Sequence, residues 1–336
     1  MSSPIKVCSL LLAVMVTGFL YGVTNKERTF SILPFFSPAT LNPGDILEKG
    51  NGIIFIESTD RMDPPSLVLC AVESAARVYP DRPVAFFMKG LPDINSVEDQ
   101  DKARNSFPTL APYSNIHLYP LRMEVLFNNT PLMPWYQRVN PRNEIHWIHV
   151  SSDACRLALI YKYGGLYMDT DIISARVIPE KNFLAAESSQ ISSNGVFGFV
   201  SNHTFTWNCM ENFVQNYNGA IWGHQGPALF TRVLKQFYCT VPPFIGKEDL
   251  PCGDISFLNP QRFYPISFNN WKQYFEVWQK IPTFDDSYAL HLFNYANRGE
   301  KMVMIPRTKT LVEHLYQQYC PATYKAVLEN NRTHLS

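Results

Sequence analysis

Ser151-Ser-Asp-Ala-Cys-Arg-Leu-Ala-Leu-Ile-Tyr-Lys-Tyr-Gly-Gly-Leu-Tyr-Met-Asp-Thr-Asp171 places a helix, its stop, a strand and an acidic pair in one unbroken run. Ser151 or Ser152 offers a helix cap, and Ala154, Leu157, Ala158 and Tyr161 recur at helical spacing as an apolar stripe. Gly164-Gly165 ends the helix, because a glycine tolerates the left-handed backbone of a helix stop. Residues 166–168 then read as a strand, which puts Asp169 and Asp171 at its carboxyl end, where ligands bind in open α/β sheets.

Outward from this run the alternation continues. Residues 53–57 predict a buried strand, 65–79 a helix with Leu67, Cys70, Ala71 and Ser74 on one face, and 84–88 a second strand, making a βαβ unit. The polar stretch 92–112 reads as a surface loop, 116–119 as a strand and 124–128 as a helical turn or two. Further on, 196–200 predicts a strand, 205–216 and 228–237 predict helices, and 310–319 predicts a closing helix. The fold class is therefore α/β, with a parallel or mixed sheet flanked by helices.

An Asp-x-Asp pair on an extended chain turns both carboxylates to one side. Hard oxygen ligands suit magnesium or manganese, which leave coordination positions for the oxygens of a diphosphate. The spacing alone decides little, since Asp99-Gln100-Asp101 repeats it inside a polar stretch and receives no function. Helix, double glycine and apolar strand precede only the later pair. Asp153 and Arg156, three apart on the helix, suit a sugar: arginine donates in a fork to hydroxyl oxygens and aspartate accepts from paired hydroxyls. By spacing alone an exposed ion pair is the commoner outcome. His291, in the apolar run 288–294, offers a nitrogen ligand to the same metal, or else a hydrogen-bonded core imidazole. The run Trp222-Gly-His-Gln-Gly-Pro227 suits a loop that approaches a ligand or one that turns into a helix. Trp135-Tyr136 and Trp271 with Tyr274 are aromatic pairs for which core packing is the default and sugar stacking the alternative.

The 336 residues are 46% hydrophobic, enough for a sizeable core, and 29 basic residues balance 29 acidic ones, so charge gives no case for a nucleic-acid partner. Residues 7–23 form an uncharged apolar run near the lower limit for a span. A cleaved signal peptide is the alternative, but no Ala-x-Ala-like site follows, which favours an uncleaved anchor. The expected organisation is a tail at 1–6, a signal-anchor helix at 7–23, a Pro-containing stem at 24–50 and a luminal domain at 51–330. Cys239 and Cys252 are spaced to close a local loop, Cys155 is the expected free thiol, and Asn128, Asn202 and Asn331 are glycosylation acceptors.

The run Ser-Asp-Ala-x-Arg-Leu-Ala-x-x-x-Lys-Tyr-Gly-Gly-x-Tyr-x-Asp-Thr-Asp resembles the sugar-binding region of glycosyltransferase family 32. The likeness extends through Val72-Glu-Ser-Ala-Ala76, Met88-Lys-Gly-Leu91, Ser193-Asn-Gly195, Trp222-Gly-His-Gln-Gly-Pro227, Phe263-Tyr-Pro-Ile266 and His291-Leu-Phe-Asn294. That resemblance implies a GT-A type Rossmann-like fold, a single-pass type II Golgi membrane topology, a UDP-sugar donor and retention of anomeric configuration. It implies that Asp169, Asp171 and His291 bind Mn2+ or Mg2+, that Asp153 and Arg156 hold the donor sugar, and that Ser58, Thr59, Tyr167, Asn194 and Gly195 line the donor. Gln225 is the polar group it suggests beneath the reacting carbon. The activity it points to is transfer of N-acetylglucosamine from UDP-GlcNAc in α-1,4 linkage to a terminal β-galactose of mucin-type O-glycans. The alternatives are α-1,4 transfer from UDP-galactose to a glycolipid and a catalytically silent Golgi lectin.

Overall fold

Strands rich in Ile, Phe and Val form the centre of the sheet because they can be buried on both faces, and β1 (Ile53–Glu57) and β2 (Val84–Met88) are buried along their whole length. The computed structural model describes residues 42–297, 302 and 304–330. The expected anchor at 7–23, the tail, the first part of the stem, Cys8 and Asn331 lie outside these residues. No helix among the described residues is long and apolar enough to cross a membrane. Helix α1 (Pro43–Leu47), within the stretch read as stem, buries Leu47 in the core.

An eight-stranded mixed sheet runs in the order β3-β2-β1-β4-β7-β6-β9-β8. Here β3 is Ile116–Pro120, β4 Gly165–Met168, β6 Phe183–Ser188, β7 Ile191–Phe199, β8 Leu250–Cys252 and β9 Ile255–Leu258. The first four strands in that order are parallel, and β4 meets β7 antiparallel. Strand order reverses between β1 and β4, so their carboxyl ends frame the crevice in which α/β sheets bind ligands.

Alternate residues of β1 serve opposite layers, as the period of an extended chain requires. Ile53 and Phe55 pack with Val68, Ala71 and Val72 of α2 (Ser66–Val78), while Ile54 and Ile56 join the cluster that includes Ala154, Leu157 and Ala158. The stretch expected to be loop at 92–112 instead contains helix α3 (Val97–Asn105), capped by the Ser96 hydroxyl, which accepts the Asp99 N–H at 3.1 Å. Its sole buried residue is Ala103, so the apolar stripe by which a sequence betrays a helix is absent. Short helices α4 (Met123–Leu126) and α5 (Leu132–Arg138) follow.

The central helix, α6 (Trp147–Tyr163), begins four residues before the expected serine caps, so Ser151 and Ser152 lie inside it. It stops at Gly164 as expected: φ is +65°, and a Cβ there would stand 2.7 Å from the Ser201 nitrogen. Helices α7 (Thr204–Gln215) and α8 (Pro227–Phe237) complete this layer. A second, two-stranded sheet pairs β5 (Ile172–Ser174) antiparallel with β10 (Ala289–His291), in a register that sets Ile172 opposite His291. Beneath it α9 (Leu311–Tyr319) is not the closing helix, because α10 (Pro321–Asn330) follows.

Among the described residues two disulfides form, the expected Cys239–Cys252 and the long-range Cys70–Cys320, which ties α2 to the residue after α9. Cys155 is free and buried, as is Cys209. One helical turn's length from Cys70, the fully buried Glu73 carboxylate accepts hydrogen bonds from the N–H groups of Ala322 (2.9 Å) and Thr323 (2.8 Å), the Thr323 hydroxyl (2.7 Å) and the Tyr113 hydroxyl (2.7 Å).

Candidate active site

Asp169, Thr170 and Asp171 fill the turn between β4 and β5, where Ile172 donates back to the Asp169 carbonyl at 3.2 Å. The carboxylates converge through that turn, and not through the pleat of an extended strand. The pairing of β5 with β10 then carries His291 to Asp171 across a sequence gap that spacing could not bridge. His291 Nε2 lies 3.3 Å from Asp171 Oδ1, the Asn294 N–H donates to Asp171 Oδ2 at 2.9 Å, and the Leu292 N–H donates to the Asp171 carbonyl at 3.0 Å. One ligand atom from each of Asp169, Asp171 and His291 falls within 4.8 Å of the others. Two carboxylates and an imidazole gathered in this way fit a hard or borderline divalent cation.

The other half of the site hangs on α6. Asp153 and Arg156 face inward, and Arg156 is buried with only 6% exposure, so the exposed-ion-pair alternative does not hold. The Arg156 guanidinium spans the site. Nη1 lies 3.0 Å from Asp169 Oδ1 and donates to the Asn194 carbonyl at 2.8 Å. Nη2 donates to the Ser152 hydroxyl at 3.0 Å and lies 3.5 Å from Asp153 Oδ1, while Nε donates to the Ser152 carbonyl at 3.3 Å. The charge also sits 4.6 Å above the Tyr167 ring. Tyr167 donates its hydroxyl to Asp169 Oδ1 at 2.6 Å, so that oxygen is held from two sides.

Strand β7 supplies the floor. The Asp169 N–H donates to the Gly195 carbonyl at 2.7 Å, and the Asn194 amide donates to Asp153 Oδ1 at 2.6 Å. A Cβ at Gly195 would stand 2.8 Å from Asp169 Oδ2, so only glycine lets the strand come this close. Gly226 packs against the Asn194 amide in the same way, where a Cβ would meet Nδ2 at 2.8 Å. Ser58 and Thr59 lie beyond the carboxyl end of β1: the Ser58 hydroxyl donates to the Ile148 carbonyl at 3.2 Å, and the Thr59 N–H donates to Glu57 Oε1 at 2.9 Å.

Burial sets the electrostatics. It pushes the Asp153 carboxyl up to about 6, with the Arg156 charge and the Asn194 hydrogen bond opposing. Burial likewise raises Asp169 above the usual carboxylate range against the pull of Arg156. For Arg156 itself burial disfavours the charge, but Asp169, Tyr167 and Asp153 outweigh it and hold the guanidinium firmly protonated.

Several residues fall elsewhere. Gln225 is buried, its amide nitrogen donates to the Phe213 carbonyl at 2.8 Å, and its Oε1 has no hydrogen-bond partner among the described residues. Trp135, Trp271 and Tyr274 are core residues, Trp135 packing edge-on to Phe213 at 4.8 Å. Asn128 and Asn202 are exposed. Three participants escaped the sequence reading. Ser152, read only as a possible cap, grips Arg156, and the four-residue spacing on one helix was the available signal. Ser193 and Tyr264 meet at 2.5 Å, with the Ser193 hydroxyl also accepting the Gly195 N–H at 2.9 Å, across a separation that no local pattern reveals.

Two conserved regions match the chain: "Glycosyltransferase sugar-binding region containing DXD motif" over residues 65–190 and "Alpha 1,4-glycosyltransferase conserved region" over residues 198–327. The chain is 50% identical to alpha-1,4-N-acetylglucosaminyltransferase of Homo sapiens over 316 residues, covering 94% of this chain and 92% of that one. It is 34% identical to lactosylceramide 4-alpha-galactosyltransferase of Mus musculus over 321 residues, covering 94% and 87%. Among solved structures it aligns with "PaToxG Glycosyltransferase" at 17% identity and a TM-score of 0.43, over 55% of this chain and 68% of that one.

Proposed function

The chain belongs to the DXD-containing alpha 1,4-glycosyltransferases and is a glycosyltransferase, and from that premise we propose that it moves N-acetylglucosamine from UDP-GlcNAc, in α-1,4 linkage, onto a terminal β-galactose of mucin-type O-glycans. The observation that carries the choice of donor is the 50% identity to the N-acetylglucosaminyltransferase, against 34% to the galactosyltransferase at equal coverage of this chain.

Asp169, Asp171 and His291 would hold Mn2+, or Mg2+ in its place. The cation, when bound, neutralises charge on the diphosphate leaving group. Ser58 and Thr59 sit where the nucleotide would meet the end of β1, and Asp153 and Arg156, steadied by Tyr167, Asn194 and Gly195, would grip the sugar. In this reading the acceptor 4-hydroxyl attacks the anomeric carbon from the face that UDP leaves. The carbon–oxygen bond to the diphosphate breaks with its electron pair on UDP, and the hydroxyl proton passes to the departing phosphate oxygen. Configuration is retained without a covalent sugar–enzyme intermediate. The sheet is taken as a GT-A type Rossmann-like scaffold. A Golgi location, with the domain luminal behind an anchor at 7–23, agrees with the two disulfides, which persist in oxidising compartments. Exposed Asn128 and Asn202 are then open to glycosylation, with Asn331 as a third acceptor.

Hydrolysis and transfer measured on the detergent-solubilised full chain with Mn2+ test this. UDP-GlcNAc is expected to turn over, faster with a β-galactoside present, while UDP-galactose lags. Preference for UDP-galactose would move the chain to glycolipid synthesis, and turnover of neither would leave a silent lectin.

A further inference from the structure

Trp222 is the exception among the tryptophans considered above: its side chain is 46% exposed. It stacks on Tyr295 with ring centroids 3.9 Å apart and planes at 10°. His149 meets both edge-on, at 4.4 Å from Trp222 and 5.2 Å from Tyr295, and His146 meets Trp222 at 5.5 Å. Core packing explains none of this, because a ring stacked for burial would not keep nearly half its surface in water.

Each ring comes from a segment anchored in the acidic site. His149 lies four residues before Asp153 and seven before Arg156 on α6, which puts the three on one helix face. Tyr295 follows Asn294, whose N–H donates to Asp171 Oδ2. Trp222 lies four residues before Gly226, which packs against the Asn194 amide that holds Asp153. The aromatic stack is therefore built on the same segments that hold Asp153 and Asp171.

We propose that the Trp222–Tyr295 stack, braced by His149, is the acceptor subsite and seats the terminal galactose of the acceptor against the open face of Trp222. The chemistry of the sugar fits this assignment. In a β-galactoside the hydrogens on C3, C4 and C5 make one apolar face, which lies well on an aromatic ring, and the axial 4-hydroxyl projects from the opposite face. A galactose seated on Trp222 thus presents to the donor the hydroxyl that α-1,4 transfer uses. Binding sites of this type combine aromatic walls with a few placed polar groups. The inference rests on the transfer reaction proposed above for its acceptor, and on the ring geometry for its location.

The test compares the full chain with Trp222→Ala and Trp222→Phe, reading transfer to lactose and acceptor-free hydrolysis of UDP-GlcNAc side by side. Trp222→Ala is expected to lower the ratio of transfer to hydrolysis about tenfold through a raised acceptor KM, while Trp222→Phe, which keeps a flat face, changes it less than about threefold. An unchanged ratio, or equal loss of both reactions, overturns the assignment. If the parent chain turns over no donor, the transfer reading fails separately. Saturation-transfer NMR with lactose then decides the subsite: enhancement at galactose H3, H4 and H5 that disappears in Trp222→Ala supports it, and enhancement that persists in that variant, or is absent from the parent chain, refutes it.

Discussion

The chain carries the Asp-x-Asp spacing twice, and the two copies have opposite surroundings. Asp99 and Asp101 stand on α3, where the Ser96 hydroxyl and the Asn95 N–H hold Asp99 below its ordinary carboxylate range. Their business is with the helix terminus and with water. Asp169 and Asp171 sit in a turn at the switch point of the sheet, with a buried arginine on one side and a histidine from a second sheet on the other. Two carboxylates become a site through what the fold assembles against them, and spacing has no part in that.

The sharpest attempt to break this contrast exchanges one residue in each copy. In the proposed role of Asp171 as a direct ligand to the leaving group's counter-ion, Asp171→Ala is expected to reduce transfer by about 10³-fold with far-UV circular dichroism unchanged. Asp101→Ala should leave the rate where it was. Comparable losses in the two variants would mean that the position in the sheet is not what matters.

A smaller effect, read by pH, tests what the fold assembles against the later copy, through Asp153. Burial raises the Asp153 carboxyl to about 6, above its ordinary 3.8, so the folded chain holds a proton there that the unfolded chain has released. The stability this contributes is fully present below about pH 4 and is lost as pH rises through 6. In the role proposed for Asp153 the sugar needs the carboxylate, so activity should run the other way, falling about tenfold per unit below pH 6. In Asp153→Asn the thermal midpoint should gain on the parent between pH 4 and 7, and whatever residual activity survives should lack that acid limb. A limb that persists unmoved in this variant would assign it to another group. The smallest effect belongs to the exposed copy: Asp99→Ala should shift the thermal midpoint by no more than about 2 °C, read by calorimetry, and leave turnover intact.

The central βαβ unit and the run from α6 to β4 were legible because burial on both faces, helical spacing and a double glycine are written locally. The parts that were not legible fall into two kinds. Helix α3 is polar around most of its circumference, and β5, β8 and β10 are three residues each, too short to show a period. The contacts of the site are the second kind. Asp153, Arg156 and Asp169 could be nominated from one stretch, but the pairing of Ser193 with Tyr264, the reach of β10 to Asp171 and the aromatic stack join segments tens to more than a hundred residues apart. Resemblance to a family supplied Asn194 as a candidate and chose the ligand reading of His291 over the core one, and the sheet register explains why His291 meets Asp171.

The Glu73 carboxylate has a consequence for where this polypeptide can be trimmed. Three of its four hydrogen-bond donors belong to Ala322 and Thr323, so the last helix is an internal counterpart to a buried negative charge and not a tail. A protease or a stop codon acting just after Thr323 removes the buried Val327 and the Tyr324 hydroxyl that donates to Glu313 at 2.7 Å, but leaves Glu73 its four donors. One acting a few residues earlier strands an anion in a dry interior 250 positions upstream and also deletes the cysteine that Cys70 needs. The protein's limits of truncation are therefore set by a residue near its beginning.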